Sequence, residues 1–490
     1  MDIILVYAVY IALAFGLAMA LVLGLGFALE AGTRIRNEPL PYIFFAIVTA
    51  IMAAPIATDR LLSSGLDSLE ATRDTIAQSF WLTRALTIMV LVVCAERIVR
   101  YMFRRKREAL NGWPLMWAFI AYAMTNEIVN SAFGAAPSFD HKSMYCFVVY
   151  FAVFLVAQKD PERLIRFARL AMLMFLAGSA LAAGGKLSMV IERGYAGFLP
   201  GVTFRYYGLA THANTMGPLA IAFMICLGWR PFGKRWFNAV AWGLAALSLL
   251  LTQSKTSIVA GIGVATFLAI YAYRARMIRL RAGNTATLTM GLVVAACALL
   301  SLGALFVLLS QDPVELITRP WQLTTSQHIT SLTGRTRIWA IAWEEFLRHP
   351  IFGYGPTVWH NDYRLAFGML FAYHAHNQLL QSLSSAGIVG AVGLLIYLWI
   401  LFVYAWRAAP ASRGISLALV GLMLLRAISE VPFSVGGVMQ SEFLVHLLLL
   451  IACIGYAPAR VAGSATVAAT EEQTSVKIQQ AWIPARARGG

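Results

Sequence analysis

Long apolar runs constrain the fold of this chain more than any other feature. A run of about 18 apolar residues spans the hydrocarbon core of a membrane as a helix. Only 13% of the 490 residues are charged, against about 25% in soluble proteins. The sequence therefore predicts an all-α, polytopic membrane protein of about 12–13 transmembrane helices. Thirteen candidate spans lie at 4–29, 40–57, 79–98, 113–133, 143–157, 164–185, 208–228, 236–252, 256–273, 286–309, 379–406, 414–431 and 440–457.

The positions of the basic residues predict how the chain is oriented. Loops on the cytoplasmic side of a membrane carry an excess of Lys and Arg. With thirteen spans and the N-terminus outside, every basic cluster falls on the cytoplasmic side, and the acidic loop 58–78 falls outside. The net charge of +16 thus fits membrane topology better than nucleic-acid binding. The clusters are Arg34/Arg36, Arg100 to Arg107, Lys159/Arg163, Arg230/Lys234/Arg235, Arg274 to Arg281 and Arg407/Arg413.

The organisation along the chain is a transmembrane domain at 1–457 followed by a tail at 458–490. The tail is rich in Ala, Gly, Ser and Thr, which predicts a disordered cytoplasmic segment. The outer loop 310–378 is much longer than a simple connection. Within it, the periodicity of residues 335–349 predicts an amphipathic helix that ends before Pro350 and could lie at the membrane interface.

Four of the cations on the predicted outer side are candidate phosphate ligands, because the distribution rule disfavours cations there. They are Arg205, Lys255, Arg335 and Arg337. Cations are suited to phosphate oxygens, although each could instead reach lipid headgroups. His376 precedes the eleventh span and is a candidate proton acceptor. A histidine in an outer loop can equally be a solvated polar residue.

Two further observations concern ionisable groups and metals. Arg426 and Glu430 are four residues apart near the outer end of the twelfth span, and this spacing favours a structural ion pair over a catalytic one. The long outer loop has no paired Asp-x-Asp, and the five cysteines lie within apolar runs. We therefore expect no metal site and no cofactor, with Arg and Lys stabilising any phosphate leaving group.

Three stretches resemble the O-antigen ligase and Wzy-type polysaccharide polymerase superfamily. The first is RYYGLATHANTMG at 205–217, and the second is LTQSKT at 251–256. The third begins at Gly334-Arg335 and Ile338-Trp339, and it continues through HPIFGYG at 349–355, HNQLLQ at 376–381 and AGIVG at 386–390.

The resemblance implies a glycosyltransferase C-type membrane fold and a glycan donor carried on undecaprenyl diphosphate. It implies that His376 is the catalytic base and that Arg205 and Arg335 hold the diphosphate. Lys255 stands where the family usually has an arginine, and a lysine cannot make a bidentate contact with phosphate. Either Lys255 acts as a point charge, or Arg337 has taken over the binding of phosphate by this second cation. The predicted substrate-binding residues are Lys255, Arg337, His212, Asn214 and Asn377.

The expected activity is a metal-independent, inverting transfer of the glycan to a sugar hydroxyl at the periplasmic face of the bacterial inner membrane. We favour polymerisation of exopolysaccharide or O-antigen repeat units. One alternative is a ligase that joins the glycan to lipid A-core, and another is a polysaccharide transporter or flippase. The expected partners are the lipid-linked donor, the glycan or lipid A-core acceptor, membrane lipids and other polysaccharide assembly proteins, but no nucleic acid.

Overall fold

The computed structural model describes residues 39–57, 69–103, 110–279 (apart from 196, 198 and 200), 335–368 and 372–458. Helices dominate this part of the chain, and a π-helical turn at Met124–Val129 joins the helices Trp113–Ala123 and Asn130–Phe133. Short 3-10 turns lie at Leu40–Tyr42 and Leu187–Met189. The helices are α1 Ile43–Ala57, α2 Leu69–Met102, α3 Trp113–Ala123, α4 Asn130–Phe133, α5 Lys142–Ala157, α6 Pro161–Gly185, α7 Ala213–Trp229, α8 Arg235–Leu251, α9 Lys255–Arg279, α10 Arg335–Arg348, α11 Asn361–Ala366, α12 Gln378–Ala408, α13 Ile415–Ala427 and α14 Ser441–Gly455.

Helices occupy every predicted span that falls on described residues. The spans predicted at 4–29 and 286–309, and all of the predicted tail except Pro458, lie outside the described residues. Within the described residues, three helices are long and apolar enough to cross a membrane: Pro161–Gly185, Lys255–Arg274 and Gln378–Ala408. The other apolar helices of this part of the chain are shorter. Together they fit a polytopic integral membrane protein.

Helix α14 is at the centre of the bundle. Nearly every residue from Ser441 to Ile454 is buried, and the helix packs against α5, α6, α7, α12 and α13. A helix that is apolar on all sides has to be surrounded by other elements. Its one histidine, His446, is fully buried and contacts the hydroxyl of Tyr397 on α12.

Helix α12 is broken at Gly387, which has φ 63° and ψ −159°. Residues 350–355 enter the break and bond to the backbone that the break exposes. Tyr354 N–H donates to the Ser384 carbonyl at 2.9 Å, and Ile388 N–H donates to the Pro350 carbonyl at 2.8 Å. A Cβ on Gly353 would lie 2.4 Å from the backbone of residues 385 and 386. The close approach of two backbones therefore requires glycine here.

Residues beyond the bundle form a second, smaller core around α10. Ile338 and Ala342 on α10 pack with Val358, Trp359 and Tyr363. The helix predicted at 335–349 is thus present at Arg335–Arg348. Its inner face is covered by protein, while Trp343 and Leu347 remain exposed.

The all-α prediction missed a small sheet. Strands β1 (Ile191–Arg193) and β2 (Phe204–Tyr206) pair antiparallel, with Glu192 opposite Arg205. Three residues per strand are too few to show a clear alternating pattern in a sequence. The hairpin nevertheless matters, because it places Arg205 at the entrance to α7.

Candidate functional site

The carboxylate of Glu430 is the centre of a buried polar cluster. Glu430 lies between α13 and α14 and is only 5% exposed. Its Oε1 accepts hydrogen bonds from Asn214 Nδ2 at 2.6 Å and from Arg335 Nη2 at 3.0 Å. Its Oε2 faces His374 Nε2 at 3.5 Å and His376 Nδ1 at 3.4 Å. Four side chains from three separate segments thus converge on one anion.

Asn214 links this carboxylate to a second arginine. Its Oδ1 accepts from Arg205 Nη2 at 2.6 Å and from Ser254 Oγ at 2.9 Å. Arg205 Nε also donates to the Thr252 carbonyl at 2.8 Å, and its guanidinium lies over the Tyr195 ring. Asn214 therefore connects Arg205 to Glu430, because its side-chain oxygen accepts from Arg205 and its side-chain nitrogen donates to Glu430. Arg205 and Glu430 make no direct hydrogen bond with each other.

A strained turn presents the two histidines. His376 has φ 49°, a left-handed conformation that is uncommon for a residue with a side chain. Three hydrogen bonds hold it: His376 N–H donates to His374 Nδ1 at 3.1 Å, Ala375 N–H to Gln381 Oε1 at 2.8 Å, and Leu380 N–H to Asn377 Oδ1 at 3.0 Å. Asn377 is thus the N-cap of α12.

The charges of this cluster determine the protonation of its members. Burial alone would raise the pKa of Glu430, but the adjoining His376, His374 and Arg335 outweigh that effect and hold it below its usual range. Desolvation, followed by repulsion from His376, lowers the pKa of His374 to about 4. At neutral pH Glu430 is therefore an anion and His374 is neutral. Burial also lowers the pKa of Arg205, but a guanidinium stays protonated in proteins.

The structure brings some of the predicted site residues together and leaves others apart. His376, Arg205, Arg335 and Asn214 form the cluster around Glu430. Arg337 is exposed and donates instead to the Phe367 carbonyl at 3.1 Å.

The other predicted substrate ligands have different surroundings. His212 caps α7 by accepting from Asn214 N–H at 3.1 Å. Asn377 Nδ2 donates to the Ile428 carbonyl at 3.1 Å. Lys255 is half-buried at the start of α9, one residue after Ser254. No hydrogen bond or ion pair from its amine to a described residue is present.

Arg426 and Glu430 do not form the predicted structural pair. Helix α13 ends at Ala427, and although the Glu430 backbone N–H still donates to the Arg426 carbonyl at 2.7 Å, the two side chains form no ion pair. Arg426 Nη2 donates to the Asn214 carbonyl at 3.0 Å and lies 3.4 Å from Glu442 Oε1. Glu430 turns to Arg335 and the two histidines. The predicted pairing is therefore wrong, and Glu430 lies at the centre of the polar cluster instead.

One ligand atom each from His374, His376 and Glu430 lies within 4.8 Å of the others, a spacing that a metal ion could use. The surrounding charge opposes a cation, because Arg335 already binds the carboxylate and Arg205 is attached through Asn214. Added positive charge near these arginines is unfavourable in a buried site. An anionic ligand suits the cluster better, and metal independence stays a prediction.

The fold and the site define a largely helical integral membrane protein whose polar cluster presents arginines beside a histidine. Residues 239–395 match the family model described as O-antigen ligase. The resemblance predicted from the sequence motifs is thereby confirmed for this segment, which covers less than half of the chain. The match includes Lys255, Arg335 and His376, whereas Arg205 and Glu430 lie outside it. No curated protein matches the chain. The family supports a role in polysaccharide assembly.

Proposed function

We propose that this protein transfers a glycan from undecaprenyl diphosphate to a sugar hydroxyl at the periplasmic face of the inner membrane. The observation that carries the proposal is the joining of His376, Arg335 and Arg205 through Glu430 and Asn214. A base and two cations are the groups that such a transfer requires. The match of residues 239–395 to the O-antigen ligase family supports the same reaction class.

His376 is the proposed base. Its Nε2 takes the proton of the acceptor hydroxyl while that oxygen forms a bond to the anomeric carbon of the donor. The bond from this carbon to the diphosphate oxygen breaks with inversion, and undecaprenyl diphosphate leaves with the electron pair. General base catalysis of this kind contributes roughly 10²–10⁴-fold to a rate.

Arg335 and Arg205 are the proposed ligands of the departing diphosphate. Charge that develops on the leaving oxygen is stabilised by cations that are already in place. Lys255, which directly follows Ser254, is a further proposed substrate ligand that supplies a point charge. We propose that these groups replace a metal ion. The test is the activity of purified protein in excess chelator, which should equal the untreated rate; loss of activity that Mg²⁺ or Mn²⁺ restores would contradict it.

Polymerisation of repeat units is the activity that we favour, and ligation to lipid A-core is the second candidate, supported by the name of the matched family. The two reactions share a donor and differ in the acceptor. A deletion strain separates them. Single repeat units left on the surface indicate a polymerase, whereas full chains retained on the carrier lipid indicate a ligase.

A transporter or flippase is the candidate from another class. It would move the lipid-linked glycan intact, whereas a transferase releases undecaprenyl diphosphate. The decisive experiment supplies purified protein with lipid-linked oligosaccharide and measures released carrier. We expect release by the wild type and loss of release in His376→Ala at equal protein yield. Full activity of His376→Ala would remove His376 as the base.

A further inference from the structure

The environment of Glu430 distinguishes the two histidines beside it. His374 has both ring nitrogens engaged, since its Nδ1 accepts the backbone N–H of His376 at 3.1 Å and its Nε2 lies 3.5 Å from Glu430 Oε2. A neutral imidazole carries one N–H and one acceptor nitrogen. The proton of His374 therefore belongs on Nε2, facing the carboxylate. His374 has no acceptor nitrogen left for a substrate.

His376 has the opposite arrangement. Its Nδ1 is the buried ring nitrogen. Among the described residues this atom has no partner that meets hydrogen-bond geometry, but it lies 3.4 Å from Glu430 Oε2. A carboxylate at this position favours the tautomer with the proton on Nδ1. The lone pair is then on Nε2, which makes no hydrogen bond or ion pair with a described residue. Only His376 of the pair can accept a proton from a substrate hydroxyl.

We propose that Glu430 is a positioning residue that holds His376 in the Nδ1–H tautomer and orients Nε2 towards the acceptor hydroxyl. This inference rests on the proposed function, because it assigns the base that the transfer needs. Burying a carboxylate costs free energy unless it is paired and hydrogen-bonded. Glu430 is almost fully buried and has two hydrogen-bond donors and two imidazoles around it. This environment keeps the anion in place beside the histidine.

The test compares Glu430→Gln in two backgrounds. Gln keeps the size of the side chain but removes the charge that selects the tautomer. We expect Glu430→Gln to lower the transfer rate of the wild type by roughly 10²–10⁴-fold, the range that general base catalysis contributes; loss of a carboxylate that orients a catalytic histidine can reach about 10⁴-fold. In the His376→Ala background it should change the remaining rate less than about threefold, because residues that act as one unit are not additive. Equal losses in both backgrounds would overturn the proposal.

A matched control and a second variant separate this role from folding. Glu442→Gln removes another carboxylate near the cluster, which lies beside Arg426 rather than His376, and it should leave the rate within about threefold of the wild type. Glu430→Asp retains the charge but withdraws it from His376, so its rate should fall between those of the wild type and Glu430→Gln. A Glu430→Asp rate at or below that of Glu430→Gln, despite normal size-exclusion behaviour, would contradict the proposal.

A spectroscopic measurement tests the tautomer without activity. Protein labelled with ¹⁵N-histidine should show the His376 signal, assigned by its loss in His376→Gln, in the Nδ1–H form. The signal should move towards the Nε2–H form in Glu430→Gln, and an unchanged signal would overturn the proposal. If the wild type releases no undecaprenyl diphosphate, the proposed function fails, while the ¹⁵N result still decides the role of Glu430.

Discussion

Two arginines on the same helix provide the sharpest test of the site. Arg335 and Arg337 are two residues apart on α10, and the sequence predicts that both bind the substrate. Arg335 is mostly buried and bonds to Glu430 at 3.0 Å, whereas Arg337 is exposed and bonds to a backbone carbonyl. Replacing each by Gln removes one positive charge from the same helix. The surroundings of the two side chains predict very different results.

The stability cost of Arg335→Gln follows from the carboxylate left behind. Removing one partner of a buried ion pair costs about 3–5 kcal/mol. Proton uptake by Glu430 limits that cost. Protonating a carboxyl group of ordinary pKa about 4.3 at pH 7 costs about 1.4 kcal/mol per pH unit, or about 4 kcal/mol in total. The protonation limit of about 4 kcal/mol lies within the range of about 3–5 kcal/mol for breaking a buried ion pair. We therefore expect Arg335→Gln to lower the free energy of unfolding by about 4 kcal/mol at pH 7.

The catalytic cost of Arg335→Gln adds to this loss. Removing one preorganised group that stabilises developing charge lowers a rate by roughly 10²–10³-fold. Arg337→Gln should cost less than about 1 kcal/mol, because an exposed contact is worth little. The transfer rate of Arg337→Gln should stay within about threefold of the wild-type rate. A larger loss would show that Arg337 performs the role that an arginine at position 255 has in the resembled family.

Thermal unfolding in detergent and release of undecaprenyl diphosphate measure the two quantities separately. The double variant Arg335→Gln/Glu430→Gln removes both charges, so it should regain much of the stability lost in Arg335→Gln while remaining inactive. Equal losses of stability in Arg335→Gln and Arg337→Gln would refute the reasoning. So would a double variant less stable than Arg335→Gln alone.

Three further predictions concern the scaffold, the pH dependence and the third cation. Gly353→Ala should lower the free energy of unfolding by about 3 kcal/mol or more, because its Cβ would meet backbone at 2.4 Å. Gly368 has a similar φ of 62° but no described atom within 4 Å of its Cβ position, so Gly368→Ala should cost about 1–2 kcal/mol. Equal midpoints of thermal unfolding for the two variants would contradict this. The pKa of His374 falls from 6.5 to about 4 on folding, so its stabilising contribution is complete above pH 6.5 and is lost as the pH falls towards 4. His374→Gln should therefore lose less thermal stability than the wild type between pH 7.5 and 5. Equal losses in the two proteins would contradict this pH dependence. Lys255→Arg should retain at least the wild-type transfer rate, while Lys255→Ala should lose roughly tenfold or more; an unchanged rate in Lys255→Ala would exclude a role for this cation.

The helical part of the fold was predictable because membrane-spanning helices appear in a sequence as continuous apolar runs. The run at 440–457 predicted α14, which the structure places at Ser441–Gly455. The break in α12 was not predictable, although Gly353 and Gly387 are visible in the sequence. Apolar runs carry no information on which distant loop enters a helix. The exposed backbone at Gly387 is satisfied by residues 350–355, more than thirty positions earlier.

The candidate site was predictable in its members but not in its centre. Unusual positive charge on the outer side pointed to Arg205 and Arg335, and the motif before α12 pointed to His376. The partner of Glu430 was wrongly predicted, because its spacing from Arg426 suggested a pair within one helix. The helix ends at Ala427, and the partners of Glu430 lie far away in sequence. Only tertiary contacts show that a residue at the end of an apolar run joins three distant segments.

Under the proposed function, this arrangement allows two arginines to bind a diphosphate without leaving their charges uncompensated beforehand. Without Glu430 and Asn214, Arg335 and Arg205 would repel one another within a largely buried cluster. Glu430 neutralises Arg335 directly, and Asn214 provides Arg205 with a neutral acceptor while donating to the same carboxylate. Under the proposed function, an incoming diphosphate competes with Glu430 for Arg335, so part of its binding energy is used to separate that pair. We infer that diphosphate binding would then shift the carboxylate proposed to orient His376, so the proposed base would respond to the presence of the donor.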